Sequence, residues 1–143
     1  MIFLLSTQSL LDLLSGNPTL HQWLSGIPMQ QVEVSAVSIG QALDTIQKNT
    51  SPARRNGFQR ELGKIVTVVR SNQGVIPFDE GAAGIWADLQ ARTLEYKKPD
   101  GSMTELSSAS RMVVATALKR GAALVESPQP YHAAIPGLTI VSP

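Results

Sequence analysis

Ser107-Ser-Ala-Ser-Arg-Met-Val-Val-Ala-Thr-Ala-Leu-Lys-Arg-Gly-Ala-Ala-Leu-Val-Glu126 is the stretch of sequence that decides the fold. Serine at its start is suited to cap a helix, and apolar residues follow at helical spacing as far as Arg120. Gly121 ends the helix, and Ala123–Val125 is a short apolar run typical of a fully buried strand. A helix followed closely by a buried strand predicts an α/β unit.

The rest of the chain repeats this alternation of short apolar runs and helical patterns. The other predicted strands are Ile2–Leu5, Val32–Val37, Val75–Pro77 and Leu138–Val141. The first of the other predicted helices is capped by Thr7 or Ser9 and ends at Gly16, and the second begins at Pro18. Three longer helices are predicted from Ser38 to about Lys48, from Ser51 through Val69 and from Asp79 through Glu95. A polar loop is predicted at Lys97–Gly101.

Strands separated by helices predict right-handed crossovers and a parallel sheet that is covered on both faces. We therefore predict one α/β domain over residues 1–143, with three α/β/α layers and a parallel sheet of about five strands. In such sheets the binding crevice lies at the carboxyl ends of the strands.

The composition excludes several classes of protein. Of 143 residues 43% are hydrophobic and 16% are charged, which supports a packed core and excludes a disordered or fibrous chain. The chain has no cysteine, so disulfides, thiolate metal sites and cysteine nucleophiles are excluded. The apolar start ends at Ser6, which indicates a strand and not a signal peptide. No apolar run is long enough to cross a bilayer, and we expect a cytoplasmic protein without a membrane partner.

Several short motifs, in order along nearly the whole chain, resemble those of the PIN domain family of small metal-dependent ribonucleases. Members open with a strand and Asp-Thr-Asn, and here the strand is followed by Ser6-Thr7-Gln8. Their Thr/Ser-x-x-Glu helix start matches Ser38-Ile-Gly-Gln41, and their Asp-led Ile-Ala-Ala-Thr-Ala-Leu helix matches Ser110–Leu118. The phrases Ile135-Pro-Gly-Leu138 and Ile76-Pro-Phe-Asp-Glu80 are also similar to the family, the latter especially to its VapC-like toxins.

The resemblance also implies a degenerate active site. The family's acidic and neighbouring polar positions fall on neutral residues, which are Ser6, Gln8, Gln41, Ser110 and, in a loosely aligned loop, Ser127 or Pro128. Mg²⁺ and Mn²⁺ need anionic oxygen ligands, and serine and glutamine supply only neutral ones. We therefore expect no catalytic residue, no metal and no cofactor. Mg²⁺ or Mn²⁺ would be required only if the chain is an active nuclease.

Two further hypotheses concern these positions. Relocated acids at Asp44, Glu105 or Glu126 could restore a metal site, with Glu126 the best placed of the three. The second hypothesis concerns the hydroxyl side chains of Ser6, Thr7, Ser38, Ser110 and Ser127. They could cluster beside the amino end of a helix and bind an anion, or they could be only capping and turn residues.

Basic side chains are concentrated in residues 51–74, where Arg54, Arg55, Arg60 and Lys64 could follow a nucleic-acid backbone. The alternative is a solvated helix face, since few aromatic residues interleave with them. His21 and His132 lack a metal-ligand spacing and are expected to be surface or packing residues.

Three functions remain open from the sequence. The first is a degenerate PIN-like protein that acts by binding a protein partner or RNA. The second is a VapC-like toxin ribonuclease of a toxin–antitoxin system. The third is a purely structural or interaction domain. VapC-like relatives form homodimers and are held by a small antitoxin, so the resemblance implies a homodimer and an antitoxin-like partner here, with exposed parts of the Asp79–Glu95 helix as a candidate interface.

Overall fold

The computed structural model describes all residues 1–143. The strands are β1 (Phe3–Leu5), β2 (Val32–Ser35), β3 (Val75–Ile76), β4 (Glu95–Lys97), β5 (Met103–Glu105), β6 (Ala123–Val125) and β7 (Thr139–Val141). The helices are α1 (Thr7–Leu14), α2 (Pro18–Ser25), α3 (Ala36–Asn49), α4 (Pro52–Ser71), α5 (Glu80–Gln90) and α6 (Ser108–Arg120), with 3-10 turns at Met29–Gln31 and Pro130–Ala134.

Five strands form one parallel sheet in the order β3-β2-β1-β6-β7. The central strands β2, β1 and β6 are the most deeply buried, as the apolar runs predict. The chain adds strands outward from β1 to β3 and then returns to place β6 on the other side of β1. This reversal opens a crevice between the carboxyl ends of β1 and β6.

Successive side chains of each strand point to opposite faces of the sheet, so each strand supplies both halves of the core. Leu4 and Leu124 join one apolar cluster with residues of α5 and α6. Leu5 and Val125 join the other with residues of α1 to α4. The predicted α/β/α fold, with a parallel sheet of five strands between two layers of helices, is confirmed. None of the helices combines the length and apolar character that a membrane crossing requires.

Several predicted boundaries were wrong. Ser6 caps α1 in place of Thr7 or Ser9, and α3 begins after Ser35, so Ser38 lies inside the helix and not at its cap. Helix α5 ends at Gln90, before the predicted Glu95. The predicted polar loop is the turn of a hairpin, because β4 and β5 pair antiparallel on either side of it.

Candidate functional site

A pocket of about 300 Å³ lies at the carboxyl ends of β1 and β6. Ser6, Thr7 and Gln8 reach it from the start of α1, and Gln41 reaches it from α3. Ser107 and Ser110 come from the start of α6, and Glu126 follows β6. Three neutral residues at the expected acidic positions, Ser6, Gln41 and Ser110, therefore converge, as do Thr7 and Gln8 beside them.

The loop residues Ser127 and Pro128 do not line this pocket, and both are exposed. The prediction that Ser127 converges with the others was wrong, because the residue directly after β6 is Glu126. Glu126 occupies the pocket floor, and the chain then turns outward. Ser38 also lies outside the pocket lining, since it is wholly buried within α3.

The hydroxyl groups at the pocket make hydrogen bonds within the protein, to backbone N–H groups and to neighbouring side chains. Ser6 Oγ accepts from the Ser9 backbone N–H at 3.1 Å, and Ser107 Oγ accepts from that of Ser110 at 3.1 Å. These serines therefore cap α1 and α6. Thr7 donates to Gln41 Oε1, and its Oγ1 lies 3.0 Å from Ser38 Oγ. Part of the hydroxyl set thus serves as caps, which is the alternative stated above for these residues.

The β4–β5 hairpin forms the outer wall of the pocket through Tyr96, Lys98, Thr104 and Glu105. The ring of Tyr96 is partly buried, and burial raises the pKa of its phenol, with the charges of Glu126 and Asp12 adding to the effect. This wall was not predicted from the sequence. The alternation of exposed and half-buried residues in β4 is only three residues long.

The side chain of Gln129 attaches the hairpin to the end of the sheet. Its Oε1 accepts from the Lys97 backbone N–H at 2.7 Å, and its Nε2 donates to the Lys97 carbonyl at 3.0 Å. Arg111 fixes the other end of the hairpin, because its guanidinium donates to the Glu105 carboxylate at 2.5 Å and to the Leu106 carbonyl at 2.9 Å.

Two carboxylates line the pocket, and both already have partners. Glu105, whose side chain is 57% exposed, pairs with Arg111. Glu126, which is 6% exposed, accepts from the hydroxyl of Tyr131 and from His132 Nε2 at 2.9 Å. Asp44, the third candidate for a relocated acid, is on the exposed side of α3 and pairs with Lys48 at 3.0 Å. The sequence did not indicate roles for Tyr131 and His132 beside Glu126.

The donor set does not fit a hard divalent cation. Mg²⁺ and Mn²⁺ sites use several carboxylates, whereas this pocket offers two, and a cation would compete with Arg111, Tyr131 and His132 for them. No group of three or more histidine, aspartate or glutamate side chains is placed to hold a metal ion.

The basic residues of α4 that were considered for nucleic-acid binding, Arg54, Arg55, Arg60 and Lys64, do not line this pocket. Arg55 folds back on the end of α3 and donates to the Gln47 carbonyl at 3.1 Å. Arg54 stacks over the Phe58 ring at 5.4 Å, and Lys64 pairs with Glu61 at 3.1 Å. Neither Arg54 nor Arg60 has a side-chain ion pair or hydrogen bond, and Arg60 also lacks an aromatic contact.

A second concavity, the apolar groove, lies beside the carboxyl half of α4. It encloses about 220 Å³, and eight of its nine lining residues are hydrophobic. They are Leu5, Leu13, Leu24, Met29, Val32, Ile65, Val68 and Val69, with Lys64 as the one charged member. Val68 is 46% exposed there and so presents part of this apolar lining to solvent.

Neither a protein-family model nor a curated protein matches the sequence. Solved structures match the fold over nearly the whole chain. FitAcB from Neisseria gonorrhoeae is 21% identical with a TM-score of 0.74, and the match covers 97% of this chain and 96% of that one. VapBC2 from Rickettsia felis, bound to a DNA fragment from its promoter, is 14% identical with a TM-score of 0.76, covering 99% and 98%. DNA-bound VapBC from Salmonella typhimurium is 18% identical with a TM-score of 0.71, again covering 99% and 98%.

At these identities the likeness concerns the fold. Together with the order of the strands and the position of the pocket, it confirms that this chain has a PIN-like α/β/α fold of the kind found in VapBC and FitAB complexes.

Proposed function

We propose that this chain is a PIN-fold binding protein of the toxin–antitoxin type, which holds a small antitoxin-like protein and does not cleave RNA by a metal-dependent mechanism. The observation that carries the proposal is the pocket itself. Ser6, Gln41 and Ser110 converge where the resemblance to the family places acids. Neutral oxygens at these positions supply too little charge to activate a water molecule or to clamp a phosphoryl transition state.

Solved structures of similar fold include complexes of toxin–antitoxin systems, which supports a protein partner. The apolar groove is the surface suited to it. Apolar side chains line the groove, and the basic Arg60 and Lys64 lie at one side of it. The partner segment that fits is therefore an amphipathic one with an apolar face and acidic residues along its flank. A homodimer is part of the same proposal, and light scattering at micromolar concentration tests it.

A second candidate is a VapC-like ribonuclease, and one observation favours it. Glu105 and Glu126 both line the pocket. The Glu105 side chain is exposed enough to give up its ion pair with Arg111 and bind a cation instead. The likeness to VapBC structures also agrees with this function. Cleavage would then depend on both carboxylates.

Two measurements distinguish the proposed binding protein from the ribonuclease. They are a titration of the protein with Mn²⁺ and a cleavage assay on single-stranded and transfer RNA. The proposal predicts no stoichiometric binding and no metal-stimulated cleavage. Stoichiometric binding with cleavage abolished in Glu105→Gln and Glu126→Gln, but retained in Ser127→Ala, would establish the ribonuclease instead.

The partner is tested by co-expression with the polypeptide of the adjacent reading frame. We expect a stable complex that Val68→Glu disrupts, because the substitution places a charge in the apolar groove. Ser71→Glu, on an exposed position of the same helix, should leave the complex intact. Equal binding by both variants would place the partner elsewhere.

A further inference from the structure

The floor of the pocket holds a carboxylate that is fixed in one orientation. Glu126 Oε2 accepts from the Tyr131 hydroxyl and from His132 Nε2 at 2.9 Å. The Gln129 backbone N–H donates to His132 Nδ1 at 3.2 Å, so the ring proton of the neutral histidine is on Nε2. Two donors from the protein therefore point at the same oxygen of Glu126 and fix its orientation.

The other oxygen, Glu126 Oε1, accepts no hydrogen bond from the protein. It is not enclosed by protein atoms either, since the only fully enclosed side-chain atom without a partner is Arg55 Nε. Glu126 is 6% exposed and lines the pocket, so Oε1 is reached from the pocket. A nearly buried anionic oxygen without a donor is costly, and a ligand N–H would supply the missing donor.

The walls of the pocket restrict what can bring that donor. Leu11, Leu106, Val113 and Leu124 line it together with the ring of Tyr96, and these surfaces suit a flat body with apolar faces. The volume of about 300 Å³ lies at the small end of ligand pockets.

Polar groups along the side of the pocket complement a ring with both donors and acceptors on its edge. Gln41 Nε2 and Gln8 Oε1 make no hydrogen bond within the protein, whereas Gln41 Oε1 and Gln8 Nε2 are occupied. The pocket contains two carboxylates, Glu105 and Glu126, and one ammonium group, Lys98. Arg111 pairs with Glu105 beside the pocket, so these four charges sum to zero, which admits an uncharged ligand.

We infer that the pocket binds a single amino-bearing heteroaromatic base of the cytosine type, whose exocyclic amino group donates to Glu126 Oε1. Glutamate accepts from the cytosine N4 amino group in the same way in base recognition. The flat ring lies between the aliphatic wall and Tyr96, and the free amide groups of Gln8 and Gln41 face its remaining edge.

This inference rests on the proposed function in one respect, which is that the pocket is not a metal site. The Mn²⁺ titration tests metal binding, and the nucleoside titrations below test base binding. Each of the two proposals can therefore be refuted without the other.

The test compares ligands that differ at the amino group. Cytidine and uridine are titrated calorimetrically into the unmodified protein, with inorganic phosphate and L-arginine amide as further probes. We expect cytidine to bind at least about 10-fold more tightly than uridine, because uridine presents an acceptor to Glu126 Oε1. Equal binding of the two nucleosides, no nucleoside binding, or preferential binding of phosphate or arginine amide would overturn the inference.

Variants locate the site. In Glu126→Gln the donors of Tyr131 and His132 require the amide oxygen, so the amide NH₂ faces the pocket. We expect the preference to reverse toward uridine. Ser110→Leu fills the pocket without contacting Glu126 and should abolish binding of both nucleosides, and Ser127→Ala, outside the pocket, should change nothing. Unchanged binding in Ser110→Leu would refute the location even if the Glu126 variant does not fold.

Discussion

The hydroxyl of Tyr131 donates to the carboxylate of Glu126, five residues away in sequence, and only 2% of Tyr131 is exposed. Burial is the main cause that raises the pKa of Tyr131, and the charge of Glu126 and the hydrogen bond to it raise it further. The phenol therefore stays protonated and remains a donor. The pair fixes the 3-10 turn at Pro130–Ala134 against the end of β6, and with it the floor of the pocket.

Tyr131→Phe removes this donor and leaves the buried carboxylate with His132 as its remaining partner. We expect the free energy of unfolding to fall by about 1–3 kcal/mol in urea denaturation, since an acceptor loses a buried partner. Tyr96→Phe is the matched control, because the Tyr96 hydroxyl makes no hydrogen bond in the protein, and its effect should stay within about 0.5 kcal/mol. Equal effects of the two substitutions would contradict the assigned role of Tyr131.

Asp79 gives the protein an acid-sensitive contact between α5 and α6. Its carboxylate pairs with Lys119 and caps α5 by accepting from the Ala82 N–H at 2.9 Å, and the hydrogen bond from Lys119 is the main cause that lowers its pKa from 3.8. A lowered pKa means that the contribution to stability is present above the unfolded value and lost as pH falls through the folded one. Asn keeps the cap but removes the charge.

Asp79→Asn should therefore be less stable than the unmodified protein at pH 7, and the difference should shrink as the pH falls below 3.8 toward the lowered pKa of the folded state. Urea denaturation at pH 7, 5 and 3 measures the difference. Because the pair is exposed, 1 M salt should reduce the difference at pH 7. A difference that is as large at pH 3 as at pH 7 would mean that the ion pair is not its cause.

Gly74 lies where α4 passes into β3, and no side chain fits there. A Cβ at this position would approach the Val32 carbonyl oxygen to 2.5 Å and Val69 Cγ1 to 2.8 Å. Gly74→Ala should lower the free energy of unfolding by about 1–3 kcal/mol, because the obstructing atoms belong to the core and backbone. Gly63, in the exposed part of α4, has nothing within 4 Å of such a Cβ. Gly63→Ala should instead stabilise by up to about 1 kcal/mol, and thermal unfolding distinguishes the two signs.

Arg111 joins the hairpin to the end of α5 through its buried guanidinium. Besides Glu105 and Leu106, it donates to the carbonyls of Leu89 at 2.5 Å and Arg92 at 2.7 Å. Arg111→Met leaves these buried acceptors unpaired and should cost about 3 kcal/mol of stability. Backbone amides of residues 95–105 should then exchange hydrogen faster. Arg111→Lys keeps one charged donor, so its stability and its exchange rates should lie between those of the unmodified protein and Arg111→Met. Unchanged exchange in Arg111→Met would show that the hairpin is held by other contacts.

Restoring the acids should create a metal site. The triple variant Ser6→Asp, Gln41→Glu and Ser110→Asp is expected to be less stable than the unmodified protein without metal, because clustered carboxylates repel. Mn²⁺ should bind it stoichiometrically and raise its melting temperature. A control triple, Gln47→Glu, Ser71→Asp and Ser127→Asp, adds the same charge outside the pocket and should not respond to Mn²⁺. Binding by the unmodified protein, or none by the restored variant, would contradict the proposed arrangement.

The elements of the fold followed from local patterns in the sequence. The runs at Ile2–Leu5 and Ala123–Val125 contain only apolar residues and serve both faces of a buried parallel sheet, so they could be recognised as central strands. The hairpin could not be recognised, because β4 and β5 are mostly exposed and their pairing has no apolar alternation to indicate it. Helix starts were misplaced by one to three residues, because several serines in succession can each act as a cap.

The sequence by itself determined that Ser6, Gln41 and Ser110 carry no charge, because a side chain's charge is a local property. Tertiary structure decided which residues share the pocket, because distances between elements depend on the sheet order and on where each loop turns. Glu126 therefore lies at the pocket floor and Ser127 outside it, although the two are adjacent in sequence. The partners of Glu126, the attachment of the hairpin by Gln129 and Arg111, and the apolar groove likewise arise from contacts made only when the chain is folded.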